Sequence, residues 1–150
     1  MAEFKSRLKS DLTTAMKARD DVRTRTLRMV LTAISNEEVA GTSARELSDD
    51  DVVKVIAREA KKRKEAATAF DQGDRPEKAA AERAEGEVLA GYLPAQLGDD
   101  ELAAFVTEAI AETGAAGAGD MGKVMKVVNP KIAGRAEGGR VAAEVRRQLA

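Results

Sequence analysis

Apolar residues return every three or four positions along most of the chain, and no stretch alternates apolar and polar residues for the length of a strand. That period predicts helices throughout. Phe4, Leu8, Leu12, Ala15 and Met16 form the first stripe, on a helix from about Phe4 to Arg19. A second helix begins near Asp21 and stops before Gly41, with Leu27, Val30, Leu31 and Ile34 as its apolar side. Ser48-Asp49-Asp50-Asp51 opens a third as a variant capping box, its acids lying in the turn where the helix dipole favours them. Val52, Ile56, Ala60, Ala67 and Phe70 mark its buried side. Gly73 breaks the pattern and Pro76 falls in the first turn of a fourth helix. That helix is predicted to bury Ala80, Ala84, Val88 and Leu89, to be weakened at Gly86, and to run through Tyr92-Leu93 to Pro94.

The second half repeats the period at shorter length. Asp99-Asp100-Glu101 starts a fifth helix with Leu102, Phe105, Val106, Ala109 and Ile110 as its stripe, ending at Gly114. Residues 115–119 form a loose linker, and Asp120 is expected to cap a sixth helix that buries Met121, Val124, Met125 and Val128. Asn129 precedes Pro130, which predicts a stop there. Gly134 and Gly138-Gly139 allow a reversal into a seventh helix, Arg140 to Leu149, over Val141, Val145 and Leu149. The fold class is therefore all-α, with no internal repeat.

Composition supports that class and narrows the chemistry. With one Tyr, three Phe and no Trp in 150 residues, the core must be built from Ala, Leu, Val, Ile and Met, which suits close helix packing. The absence of Cys and His removes disulfides, thiol nucleophiles, imidazole acid–base chemistry and the usual zinc ligands. The acidic triplets sit at helix starts, where capping accounts for them. No catalytic residue, metal site or cofactor is assigned. Met1-Ala2-Glu3-Phe4-Lys5 holds no apolar signal core and no apolar run approaches membrane-spanning length, so a cytoplasmic protein without a membrane partner is expected.

Charge changes the picture more. The formal net charge is −1, yet residues 121–150 carry seven bases (Lys123, Lys126, Lys131, Arg135, Arg140, Arg146 and Arg147) against two acids, Glu137 and Glu144, a net +5. Residues 95–120 carry six acids and no base. The seven bases, displayed on two helices, are candidates for contact with the phosphate backbone of RNA. The plainer role for them is a solvated face that offsets the acidic fifth helix. No aromatic residue lies among them to stack on bases, so recognition would rest on shape and charge, without reading DNA sequence. Gly117-Ala118-Gly119-Asp120-Met121-Gly122-Lys123 meets the opening positions of a phosphate-binding loop, but it follows a helix and Val124 stands where a hydroxyl is needed. That reading is set aside.

Two arginines fall on apolar sides. Arg23 lies about 40° from Leu27 on the helical wheel and Arg63 within about 40° of Ala67 and Phe70. Both are structural ion-pair candidates that tie helices together, Arg63 needing a carboxylate or carbonyl if it is buried. The alternative for Arg23 is a site residue beneath a pocket.

Asp120-Met121-Gly122-Lys123-Val124-Met125, Pro130-Lys131, Gly134-Arg135-Ala136-Glu137-Gly138 and Val141 resemble the C-terminal signature of the YqeY family. That signature is shared with the tail domain of the B subunit of tRNA-dependent amidotransferases. Leu27-Arg28-Met29, Asn36-Glu37-Glu38, Arg58-Glu59, Lys62-Arg63-Lys64 and Tyr92-Leu93-Pro94-Ala95-Gln96-Leu97 extend the likeness over essentially the whole chain. Lys126 departs from it, standing where Gly is common. The resemblance implies an N-terminal four-helix bundle over residues 1–94 and a small three-helix domain over 95–150 similar to a tail that contacts tRNA. The family is often described by a carbon–nitrogen ligase reaction with glutamine as amide donor, but the domain that binds ATP and aminoacyl-tRNA has no counterpart here. The leading expectation is thus a non-catalytic accessory protein that binds tRNA or another structured RNA. A protein-interaction module whose N-terminal bundle docks on a partner is the alternative, and the ligase reaction is the third.

Overall fold

A computed structural model describes residues 3–150; Met1 and Ala2, the start of the segment read above for a signal core, lie outside the described residues. Among the described residues there are seven α-helices: α1 (Glu3–Lys17), α2 (Asp21–Glu38), α3 (Asp49–Gln72), α4 (Pro76–Ala90), α5 (Asp99–Thr113), α6 (Met121–Ile132) and α7 (Gly138–Leu149). A single 3₁₀ turn, Ala118–Asp120, precedes α6, and no strand occurs among the described residues. The chain divides into two compact units, Met1–Leu93 and Pro94–Ala150.

In the first unit α1 to α4 share one core, centred on Leu8, Leu27, Val30, Ile34, Val52, Ile56 and Leu89. The capping box of α3 is complete. Ser48 Oγ accepts from the Asp51 amide at 3.2 Å, and Asp51 Oδ2 accepts from the Ser48 amide at 3.3 Å. Leu47, just ahead of the cap, is buried in the same core although it lies outside any helical stripe.

The predicted buried side of α4 holds only at its end. Leu89 is buried and Val88 packs against the core, but Ala80 and Ala84 are exposed, and Ala79 and Glu85 are buried in their stead. The reason is electrostatic. Glu82 and Glu85 turn inward to meet arginines of α2 and α3, so the inner face of α4 carries carboxylates where apolar periodicity had pointed elsewhere. The helix also ends at Ala90, and Tyr92 folds back through a turn in which its amide donates to the Leu89 carbonyl at 3.0 Å.

In the second unit α5, α6 and α7 close around Leu97, Leu102, Val106, Ala109, Val124, Val128, Ile132, Val141, Val145 and Leu149. Contrary to expectation, α6 does not stop at Asn129 but passes through Pro130 to Ile132. Proline leaves the Lys126 carbonyl without its helical donor. Lys126 and Pro130 are both exposed, so water can satisfy that oxygen, while Val128 and Ile132 are buried on the opposite side and hold the helix in line. The chain then reverses through left-handed Ala133 (φ 49°) and Gly134 (φ 80°). Leu97 ties this turn to the start of the unit, its amide donating to the Arg135 carbonyl at 2.7 Å. Helix α7 starts at Gly138, two residues earlier than predicted.

Candidate nucleic-acid interface

The seven bases of the second unit do not form one face. Five are engaged by carboxylates of close approach. Lys131 Nζ lies 2.5 Å from Glu112 and 3.9 Å from Glu108, both on α5. Its hydrogen bond to Glu112 raises the lysine pKa above its ordinary value, against the opposing effect of desolvation. Arg135 is 3.9 Å from Glu101. Arg140, expected to point outward, is instead half-buried and donates to Asp99 at 2.9 Å and to the Leu97 carbonyl at 3.1 Å. Arg147 grips Glu144 on its own helix through two nitrogens, at 2.6 and 2.9 Å. This contact, with a further hydrogen bond from Gln148, holds the Glu144 carboxyl down at about 2. Lys123 has a loose contact of 3.7 Å with Asp120.

Lys126 and Arg146 are exposed and make no ion pair among the described residues. Helix geometry sets them apart from the α5 acids. The Lys131–Glu112 contact marks the α5 flank of α6, and Lys126 lies about 140° around the helix from Lys131. Likewise Gln148 donates to the Ala103 carbonyl of α5 at 3.0 Å, and Arg146 lies about 160° around α7 from Gln148. The acidic helix therefore neutralises the bases on its own side and leaves this pair to solvent. With Lys123 and Arg147 they are the outward cations of α6 and α7.

Asp120 does not cap α6 with its side chain. Its Oδ2 accepts instead from the Ala116 amide at 3.0 Å, closing the linker on itself and holding the Asp120 carboxyl below the usual carboxylate range. The glycine-rich stretch before Lys123 thus follows a helix and already holds a carboxylate on one of its amides. A phosphate cradle would need those amides free.

The two arginines of the first unit have different partners. Arg63 lies 3.4 Å from Glu82, 3.4 Å from Glu85 and 3.9 Å from Glu59. Arg63 Nε and Glu82 Oε2 are buried and in electrostatic contact without hydrogen-bond geometry. Arg25 Nε donates to the same Glu85 at 2.7 Å, and Lys62 donates to Glu59 at 3.1 Å. Glu59 and Glu85 are buried. Sequence reading named Arg63 but missed its three glutamates; the available signal was the spacing of Glu82, Glu85 and Leu89, which share one helical face. For Arg23 the ion-pair expectation is corrected. Its Nη2 donates to the Tyr92 hydroxyl at 3.2 Å, and that hydroxyl donates to Asp11 at 2.5 Å, so the phenol stands between the two charges. Arg23 and Arg7 also lie over the Tyr92 ring, 5.8 and 5.0 Å from its centroid. Burial first, and the bond to Asp11 next, push the Tyr92 phenol above its ordinary pKa.

No helix among the described residues is long and apolar enough to cross a membrane. Residues 5–149 match the family model described as Yqey-like protein. The chain is also similar to altered inheritance of mitochondria protein 41, mitochondrial, of Clavispora lusitaniae, at 30% identity over 131 residues, which is 85% of this chain and 75% of that protein.

Proposed function

The chain belongs to the YqeY-like family, and on that premise we propose that it is a non-catalytic helical accessory protein that binds tRNA or another structured RNA through α6 and α7. The contact surface is Lys123, Lys126, Arg146 and Arg147, and a cytoplasmic location belongs to the same reading. The observation that carries it is the pair Lys126 and Arg146, exposed cations that make no ion pair among the described residues. A phosphate can take them without displacing an existing partner. Lys131 and Arg140 would first have to leave Glu112 and Asp99. With no imidazole or thiol in the chain, the surface suits holding a polyanion rather than transforming it.

The experiment is a titration of labelled tRNA with the full chain at several salt concentrations. The expected result is an affinity that falls with salt by a log–log slope of roughly 0.7–0.9 per phosphate contacted. The double substitution Lys126→Ala/Arg146→Ala should weaken binding, and Lys131→Ala should leave it nearly unchanged. A salt-independent affinity, or a double variant that binds like the parent chain, overturns the reading.

A further inference from the structure

The outer side of α1 and α2 carries cations outside any ion pair, although Lys9 adds to the field that lowers the Glu38 pKa. Lys9, Lys17, Arg19 and Arg28 are exposed and make no ion pair among the described residues. The two helices present one continuous face, because Arg28 Nη2 rests 3.8 Å from Met16 Sδ. Lys9, Thr13 and Met16 fall within about 60° on α1, and Arg25, Arg28, Thr32 and Ser35 within about 80° on α2. Between them α1 and α2 supply no acid, and the one carboxylate that reaches in from α4 is Glu85, which holds Arg25 at 2.7 Å. The carboxylates stand at the ends: Glu38 is occupied by Lys5 at 2.6 Å, and Asp20 caps α2 by accepting from the Arg23 amide at 3.0 Å, with Asp21 beside it in the chain. Met16, 48% exposed, lies amid these bases and hydroxyls.

A second observation concerns Arg19. It closes α1 in the left-handed region at φ 56°, a conformation that costs a residue with a β-carbon roughly 1 kcal/mol and that glycine adopts freely. Its guanidinium has no partner among the described residues. The dipole of α1 accounts for Lys17 in its last turn, but it calls for neither the strained Arg19 nor Lys9 and Arg28.

We propose that this α1–α2 face is a second contact surface for the phosphate backbone of a structured RNA, with Lys9, Lys17, Arg19 and Arg28 each positioned for a phosphate and the exposed Thr32 and Ser35 hydroxyls between them. Lys9 and Lys17 are eight residues apart, about 12 Å along the helix axis, so the face spans more than one phosphate. The inference rests on the RNA-binding reading but on different residues, in the other unit of the chain.

Labelled tRNA is titrated with the full chain, with Lys9→Gln/Arg28→Gln, with Arg19→Gly and with Lys126→Ala/Arg146→Ala, each over a series of salt concentrations. The Lys9/Arg28 variant is expected to bind about fivefold more weakly at low salt and to flatten the log–log slope by about 1.5. Arg19→Gly is expected to weaken binding about twofold while leaving the melting temperature unchanged or raised, a pairing of effects that a structural role for Arg19 would not produce. If both α1–α2 variants bind like the parent while the Lys126/Arg146 variant is weakened, the second surface is overturned and the α6–α7 reading stands. If the α1–α2 variants alone are weakened, this surface stands and the α6–α7 assignment falls. Absence of tRNA binding by the parent chain overturns both. Displacement of tRNA by polyglutamate as effective as by unlabelled tRNA, at equal charge, overturns the assignment to phosphate.

Discussion

The two units put their charges to different uses. In the first, Arg63, Glu59, Glu82 and Glu85 lie between helices, partly or wholly withdrawn from water, and take positions that apolar side chains would otherwise fill. In the second, every buried side chain is apolar, and the ion pairs run around the rim between α5 and its neighbours. A buried pair is costly to break because it leaves a charge in a poor solvent, whereas a rim pair is screened and contributes little. The same residue types therefore fix how α4 sits in one unit and shape the electrostatic surface in the other.

Removing Glu85 tests this contrast most severely. Glu85→Ala removes the carboxylate shared by Arg25 and Arg63, leaves Arg63 with Glu82 and Glu59, and should destabilise the chain by about 2 kcal/mol in urea unfolding, while Arg63→Leu/Glu85→Leu should cost less than the sum of its two single changes. If the double change costs the full sum of the single ones, the network is not a coupled unit. A smaller effect is expected from Glu144, the rim carboxylate held down at about 2. Its folded pKa lies below its ordinary 4.5, so the stability it contributes is present above pH 4.5 and is lost as pH falls toward 2. Glu144→Gln should flatten the acid limb of the stability curve in that window and leave the neutral limb parallel to the parent's; an unchanged acid limb would refute the contribution. The smallest effect belongs to Arg135, 3.9 Å from an exposed Glu101. Arg135→Ala should shift thermal stability by no more than about 0.5 kcal/mol, and a loss of 2 kcal/mol would place it with the buried network of the first unit instead.

Read alone, the chain disclosed its helices well wherever burial was apolar. The stripes of α2, α5 and α7, that of α1 apart from the exposed Met16, the capping box at Ser48 and Asp51, and the all-helical class follow from local periodicity and end signals, which act over a few residues. Positions decided by long-range partners were not legible in this way. The inward turn of Glu82 and Glu85 depends on arginines roughly 20 to 60 residues away in sequence, so periodicity put the exposed Ala80 and Ala84 on the buried side of α4. Local sterics disfavour a helix through Pro130, but Val128 and Ile132, packed against α5 and α7, outweigh them. The candidate interface divides along the same line. The seven bases, the acidic residues ahead of them and the family signature were all visible in sequence, because composition is local. Which bases keep a free charge was not, because Glu112, Glu108, Glu101 and Asp99 reach Lys131, Arg135 and Arg140 only once α5 is folded beside them. Sequence determined that this protein is helical and that its last thirty residues are basic; the tertiary structure decided that, among the described residues, Lys126 and Arg146 alone of those seven bases make no ion pair, since charge pairing depends on distance and only folding sets distance.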